Sequence, residues 1–354
     1  MKLTRSEFQN YIHSYEQDEI FYRDLYFAEK EHPETFMEYC QSLDREMIAQ
    51  RKLYVPALRK EGWLPYLNEG TLFQDFTGDI MLSKHYRYTP AFAHEHEFFE
   101  IMCIYDGTVK TTIQGIPHTL QQGDVCIIPP HTRHSVSIFD DSIAINILVR
   151  TSAFQSTFFQ TLTADSALSQ FFTHVLYHKT EGNFLIFHTG NDKIVMKSVE
   201  KLFIEYLGHE KYSYTFLNSM LILFWAKLLR YHENDIESIL TKETTGSSMT
   251  EILNYLNQNF QIASLSDTAA HFGYSSSHFS TLIKEGTGRT FLQIIRDIKL
   301  NQACRALRET TLSIPSICKL VGYETTEHFM RTFKKAYGMT PGEYRKTSSS
   351  LLEK

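Results

Sequence analysis

A duplication in the last hundred residues most limits what this chain can fold into. Leu265-Ser-Asp-Thr-Ala-Ala-His-Phe-Gly273-Tyr-Ser275 reads as a short helix, a sharp turn at Gly273 and a second helix opened by Ser275. Gly273 suits a turn that needs positive φ, and the Ser275 hydroxyl can accept the free N–H groups of the new helix. On that helix Phe279, Leu282 and Ile283 form an apolar stripe, while Ser276, Ser277, Ser280, Thr281 and Lys284 occupy the other face. About fifty residues later the pattern returns. Ile314, Ile317, Cys318 and Val321 give the stripe, Pro315 suits a first helical turn, and Gly322-Tyr323 turns the chain. Phe329 and Phe333 then anchor a helix that presents Thr326, Glu327, Arg331, Lys334 and Lys335 outward. Between the units, Phe291 to Leu307 reads as one long helix with Ile294, Ile295, Ile298, Ala303 and Leu307 inward. In each helix-turn-helix unit one face packs and the other is left to reach a groove.

These residues resemble the AraC family of bacterial transcription regulators. The resemblance is carried by Gly273-Tyr-Ser, Lys284-Glu-Gly-Thr-Gly288, Leu300-Asn-Gln-Ala303, Ile314 to Gly322-Tyr, and Phe329-Met-Arg-Thr-Phe-Lys-Lys-Ala-Tyr-Gly-Met-Thr-Pro341-Gly-Glu-Tyr-Arg345. It spans about Met249 to Lys346. It implies two recognition helices entering successive major grooves of double-stranded DNA, roughly 34 Å apart. Ser277, Ser280 and Thr281 would face bases from the first unit, and Thr326, Glu327 and Arg331 from the second. Arg331 could fork onto a guanine, and Lys284, Lys334 and Lys335 would meet phosphates. Thr281 stands where the family often has Arg, Ile283 where it has Phe, and Lys299 where it has Arg. The second unit is therefore expected to be the stronger reader. RNA polymerase is a further partner that a regulator of this kind implies.

Charge supports that division. The chain carries −6 overall, but 249–346 holds 12 Lys and Arg against 8 Asp and Glu, and the remainder 23 against 33. A mildly basic segment on an acidic body fits a DNA-binding module attached to something else.

That something changes texture along the chain. At 354 residues two or three domains are expected. Residues 1–75 show helical spacing, as in Phe21, Leu25, Ala28 and Phe36, Tyr39, Leu43. Residues 76–150 hold short β-type runs, Ile101-Met-Cys-Ile-Tyr, Val109-Lys-Thr-Thr-Ile and Val125-Cys-Ile-Ile-Pro, separated by Asp106-Gly107, Gln114-Gly115 and Gly123-Asp124. Runs at this spacing predict a small antiparallel barrel or jelly roll. Residues 151–240 return to helical texture, 241–248 is a polar linker, and 249–346 is the double helix-turn-helix domain. The expected class is α+β: a β-barrel flanked by helices, followed by an all-α domain.

Within the barrel, His94-Glu-His96-Glu-Phe-Phe-Glu100 and a later His134 resemble the two signature motifs of cupins. Alternation turns His94 and His96 to one face of a strand. The resemblance implies that His94, His96, Glu100 and His134 could ligate a divalent metal, since imidazole with carboxylate suits Mn, Fe, Ni or Zn. Tyr88, His131 and Ile138 replace two glycines and an asparagine of those motifs. AraC-type sensors commonly resemble cupins without enzymatic activity, so no catalytic residue is assigned and no cofactor is required; one alternative is a metal-binding cupin, enzyme or metal sensor, fused to the DNA-binding domain. The alternative readings are a pocket for a small-molecule effector, a sugar by family analogy, built from Tyr86, His94, His96, Glu100 and His134, or histidines that serve structure alone.

Phe216, Met220, Leu223, Phe224, Lys227 and Leu228 lie in a strongly apolar helix that either packs on the chain's own barrel or pairs two chains as a homodimer. It is too short to span a bilayer, and no membrane partner is expected. Five scattered cysteines, Cys40, Cys103, Cys126, Cys304 and Cys318, and an N-terminus without an apolar stretch suit a cytoplasmic protein.

Overall fold

A computed structural model describes residues 3–58, 66–73, 78–151, 153–154, 184–238 and 246–349. Two compact units emerge: Met1–Asn68, Ile80–Val149 and Phe184–Ile239 form the first, and Glu69–Asp79, Arg150–Asn183 and Leu240–Lys354 the second. The class is α+β.

Unit 1 opens with four helices, α1 (Arg5–His13), α2 (Gln17–Glu31), α3 (Phe36–Ser42) and α4 (Arg45–Gln50). Strands follow: β1 (Tyr66–Leu67), β2 (Ile80–Lys84), β3 (Glu95–His96), β4 (Phe99–Asp106), β5 (Thr108–Ile113), β6 (Ile116–Gln121), β7 (Val125–Ile128), β8 (His134–Ser137) and β9 (Ile143–Val149). Two more, β10 (Leu185–Phe187) and β11 (Ile236–Ser238), bracket a helical hairpin. The sequence pattern predicts a helical region over 151–240, so these two short strands correct it. Among the described residues the strands lie in separate sheets rather than in one closed barrel. They make a six-stranded sheet in the order β11-β10-β7-β4-β9-β2 and a three-stranded sheet β6-β5-β8, while β1 pairs β3 alone. Met102 and Ile104, Cys126 and Ile128 meet Val109, Ile113, Leu120, Val136 and Ile138 in one core shared by the two sheets.

Burial explains the sequence texture of these strands. Every residue of β9 is buried, which requires cover on both faces and matches its unbroken run Ile-Ala-Ile-Asn-Ile-Leu-Val. β5 alternates, as a strand with one wet face should.

The hairpin is α6 (Asp192-capped, Lys193–Gly208) and α7 (Ser213–His232). Leu217, Leu221, Phe224, Trp225 and Leu228 of α7 are buried within the chain, yet Phe216 and Leu223 are exposed. One face therefore packs within the chain, and the other is left open.

Unit 2 contains α5 (Glu69–Leu72), α8 (Gly246–Asn259), α9 (Leu265–His271), α10 (Ser276–Thr287), α11 (Phe291–Glu309), α12 (Ile314–Leu320), α13 (Thr326–Tyr337) and α14 (Pro341–Ser349). The linker expected at 241–248 lies outside the described residues as far as 245, and from Gly246 the backbone is already helical. Helix α11 packs against α10, α12 and α14, so it is the common wall of both helix-turn-helix units. The five cysteines are free and buried.

Candidate functional site

Two places hold the residues that sequence singled out. The first is the interior of unit 1. Period-two alternation on β4 turns Glu100, Met102 and Ile104 the same way, and on β8 it does so for His134 and Val136. One end of an otherwise apolar interior thereby becomes polar. His94, His96 and Glu100 do not share one strand as expected. His94 forms an isolated bridge to His134, His96 ends β3, and Glu100 stands on β4 after a bend at 97–98.

The four still converge. His96 Nε2 and His134 Nε2 each lie 3.1 Å from the same Glu100 oxygen, Oε2. The rings of His94 and His134 are 4.2 Å apart. One ligand atom each of His94, Glu100 and His134 lies within 4.8 Å of the others. Tyr86 is not part of this group. Its hydroxyl reaches toward Glu16, and its ring packs into the aromatic cluster of the N-terminal helices.

Electrostatics makes the centre electron-rich. Burial, with His134 alongside, pulls the His94 imidazole down to about 3, and burial also lowers His96. Burial pushes Glu100 up, but His134 and His96 together outweigh it and hold the carboxyl well below its usual range. His134 Nδ1 lies 3.0 Å from the Thr132 carbonyl and His94 Nδ1 3.2 Å from that of Phe92. A ring that donates Nδ1–H to a carbonyl presents a bare Nε2 lone pair when neutral. For His134 that lone pair faces the Glu100 carboxylate, a contact that requires an extra proton or a cation between them. Carbonyl-tethered imidazoles beside a carboxylate are also the arrangement that orients metal-binding histidines. His96 Nδ1 is buried with no partner among the described residues. The donor set thus fits a divalent ion.

A polar cavity of about 510 Å³ lies elsewhere in unit 1, lined by Arg5, Gln9, Tyr105, Lys193, Lys197 and Glu200 among others. None of the four cluster residues lines it.

The second place is the outer face of unit 2. Gly273 and Gly322 both adopt φ +75°, and Ser275 and Thr325 cap α10 and α13 through the amides of His278 and His328. A Cβ on Gly322 would stand 2.8 Å from the Gln261 carbonyl, so the second turn needs glycine twice over. Phe279 and Ile283 on α10, and Phe329 and Phe333 on α13, are buried. The opposite faces leave Ser277, Thr281 and Lys284 exposed, with Ser280 half-buried, and Glu327, Arg331, Lys334 and Lys335 exposed, with Thr326 half-buried. Thr281 turns its hydroxyl to the Ser277 carbonyl, 3.3 Å away, which competes with any base contact. Lys299 is committed inside the fold. Its ammonium donates to the Gly322 carbonyl at 2.6 Å, tying α11 to the second turn.

Met330, an apolar side chain 40% exposed on the same outer face as Glu327 and Arg331, was not singled out by the sequence. Its signal was present, since a methionine outside the Phe329/Phe333 stripe has no core to fill.

A β-sandwich with a polar cluster in its interior, joined in one chain to paired helix-turn-helix units on a shared helix, has the build of a two-part regulator. Family models agree. One described as "AraC-like ligand binding domain" matches residues 81–181, and one described as "Helix-turn-helix domain" matches 268–347. The chain belongs to the AraC family of DNA-binding transcription regulators and carries a ligand-binding domain. Curated relatives include the HTH-type transcriptional activator RhaS of Klebsiella pneumoniae, 26% identical over 266 residues, covering 73% of this chain and 89% of that one. RhaS of Escherichia coli is 24% identical over 262 residues with the same coverage. Among solved structures, the C-terminal domain of AraT, a response regulator from Geobacillus stearothermophilus, is 29% identical, covers 30% of this chain and 88% of its own, and has a TM-score of 0.28. Unsaturated fatty acid-bound ToxT from Vibrio cholerae is 15% identical over 78% of this chain and 97% of its own, with a TM-score of 0.35. No helix among the described residues is long and apolar enough to cross a membrane.

Proposed function

We propose that this regulator acts in the cytoplasm as a non-enzymatic switch, its DNA binding set by a small polar effector held at the His94, His96, Glu100 and His134 cluster. The observation that carries this reading is the cluster of polar groups at one end of a largely apolar interior, inside the segment matched by the ligand-binding model. Polar groups kept in such a place need partners, which a polyhydroxylated ligand supplies. A sugar is the favoured class through the family resemblance. The exposed face of α7, with Phe216 and Leu223, supports a homodimer that would present four helix-turn-helix units to repeated DNA sites.

A second reading has its own support: the carbonyl-tethered rings around Glu100 favour a divalent cation as the ligand, alone or beneath the effector. One experiment separates the two. Full-length protein is prepared without chelator, its metal content measured, and its melting followed across a panel of sugars. For an effector site, one sugar raises Tm and changes promoter affinity by about 5- to 150-fold, His94→Ala abolishes both, and Glu200→Gln, in the separate cavity, leaves them intact. Stoichiometric metal that is lost in His94→Ala, with no sugar response, selects the cation. No metal and no response to any sugar sinks both.

A further inference from the structure

Strand β11 is the last described strand of unit 1, and after 239–245 the chain continues as α8. It is three residues long, sits at the edge of the six-stranded sheet and, among the described residues, pairs only with β10. Apolar burial contributes little, because Ile236 is half-buried and Glu237 is exposed. Besides its backbone pairing with β10, histidine–carboxylate contacts hold it. Glu237 Oε2 lies 3.1 Å from His188 Nε2, and Glu237 Oε1 lies 3.3 Å from His118 Nδ1. His188 Nδ1 is 3.3 Å from Asp124 Oδ2, and the His188 amide donates to the Asp235 carbonyl at 2.9 Å. Asp235 Oδ2 stands 3.1 Å from His232 Nδ1, whose Nε2 is 3.1 Å from Asp192 Oδ2. Three imidazoles, from β6, the end of β10 and the end of α7, thus face four carboxylates around one short strand. None of the seven belongs to the polar cluster described above.

The geometry sets a proton requirement. A neutral imidazole has one donor nitrogen and one acceptor; only the imidazolium donates from both. His188 and His232 each face a carboxylate on both nitrogens. When either ring is neutral, one of its two contacts becomes acceptor against acceptor and is lost.

We propose that β11 is a proton-operated clasp at the exit of the sensor unit, docked while His188 is charged and released when it is neutral. Release of residues 235–238 would lengthen the connection to α8 by up to roughly 13 Å, at about 3.3 Å per residue. Partial burial lowers the His188 pKa, but Glu237 and Asp124 together outweigh it and raise the imidazole above its ordinary value. A group raised in the folded state contributes fully below its unfolded pKa, about 6.5, and its contribution disappears as pH climbs through the raised value. The clasp therefore closes toward acid and opens toward alkali.

Hydrogen exchange of the 236–238 amides in the full-length protein tests this, at about pH 6 and about pH 8 with intrinsic rates corrected. Protection is expected to fall about fivefold or more at the higher pH. In a His188→Gln/His232→Gln variant, protection should already be low at the lower pH and vary little. Equal protection of the native protein at both pH values overturns the proposal, as does a pH dependence that survives in the double variant. Should that variant fail to fold, the native comparison decides alone. The outcome is independent of which effector the sensor binds.

Discussion

Glu19→Ala is expected to destabilise unit 1 by about 3–5 kcal/mol, the cost of leaving buried charge without its partner. Glu19 is fully buried on α2, where helical spacing alone would place an unremarkable polar residue. Lys84 Nζ, at the end of β2, lies 2.6 Å from one of its oxygens and Arg87 Nε 2.8 Å from the other. The two cations are themselves anchored, since Lys84 and Arg87 both donate to the Ser14 carbonyl, at 2.7 and 2.8 Å, and Arg87 lies over the Tyr15 ring. Removing the carboxylate leaves buried Lys84 without a counter-ion and Arg87 with only Asp141, 3.8 Å away. Replacing all three charges with methionine should cost less than Glu19→Ala, because no buried charge then lacks a partner. Trp225 is fully buried in unit 1, so urea unfolding followed by tryptophan fluorescence reads this transition. Desolvation raises the Glu19 pKa, yet Arg87 and Lys84 overcome it and the net shift is downward. Stability from the triad is accordingly present above the unfolded carboxyl value, about 4.3, and lost as pH falls through the depressed one. If Glu19→Ala matches an exposed control such as Glu38→Ala, the triad contributes nothing.

This triad also shows where the sequence stopped being legible. Its members are 65 and 68 residues from Glu19, and neither strand alternation nor helical period encodes an ion pair across that separation. Elements with local causes read well. Gly273 adopts the positive φ its turn needed, Ser275 caps the helix it opens, and Pro315 sits in the first turn of α12. Strands bounded by Asp106-Gly107 and Gln114-Gly115 were visible for the same reason: those turns hold positive φ at Gly107, Gln114 and Gly115. By contrast, β10 and β11 have three residues each, too few to establish a period, and exist only because β7 offers an edge to pair with. Tyr86 was grouped with the histidines by nearness in sequence. Beyond Lys84 the chain leaves β2, alternation no longer governs direction, and the ring turns to the N-terminal helices instead. The convergence of His94, His96 and Glu100 was foreseen, but not its route through two strands and a bend.

Arg331→Ala should remove about 1–3 kcal/mol of sequence-specific binding, an affinity loss of about 5- to 150-fold on the cognate promoter. The side chain lies on the exposed face of α13, whose other face is fixed by buried Phe329 and Phe333 and whose ends are set by Thr325 and by Gly338 at φ +73°. Among the described residues no carboxylate holds Arg331, so its guanidinium is available to fork onto a guanine without first breaking an ion pair. The outer face of α10 offers nothing equivalent: its Ser277, Ser280 and Thr281 are short, and Thr281 already bonds back to its own helix. Most discrimination should thus come from the second unit. Lys334→Ala serves as the contrast. It should weaken binding to all DNA about equally and reduce the salt slope by about one, as loss of a phosphate contact does. Filter binding on promoter and scrambled DNA across a salt series distinguishes them. If Arg331→Ala weakens both DNAs alike and flattens the salt dependence as Lys334→Ala does, then Arg331 positions the helix rather than reading a base, and discrimination must rest with Thr326, Glu327 and the apolar Met330 beside them.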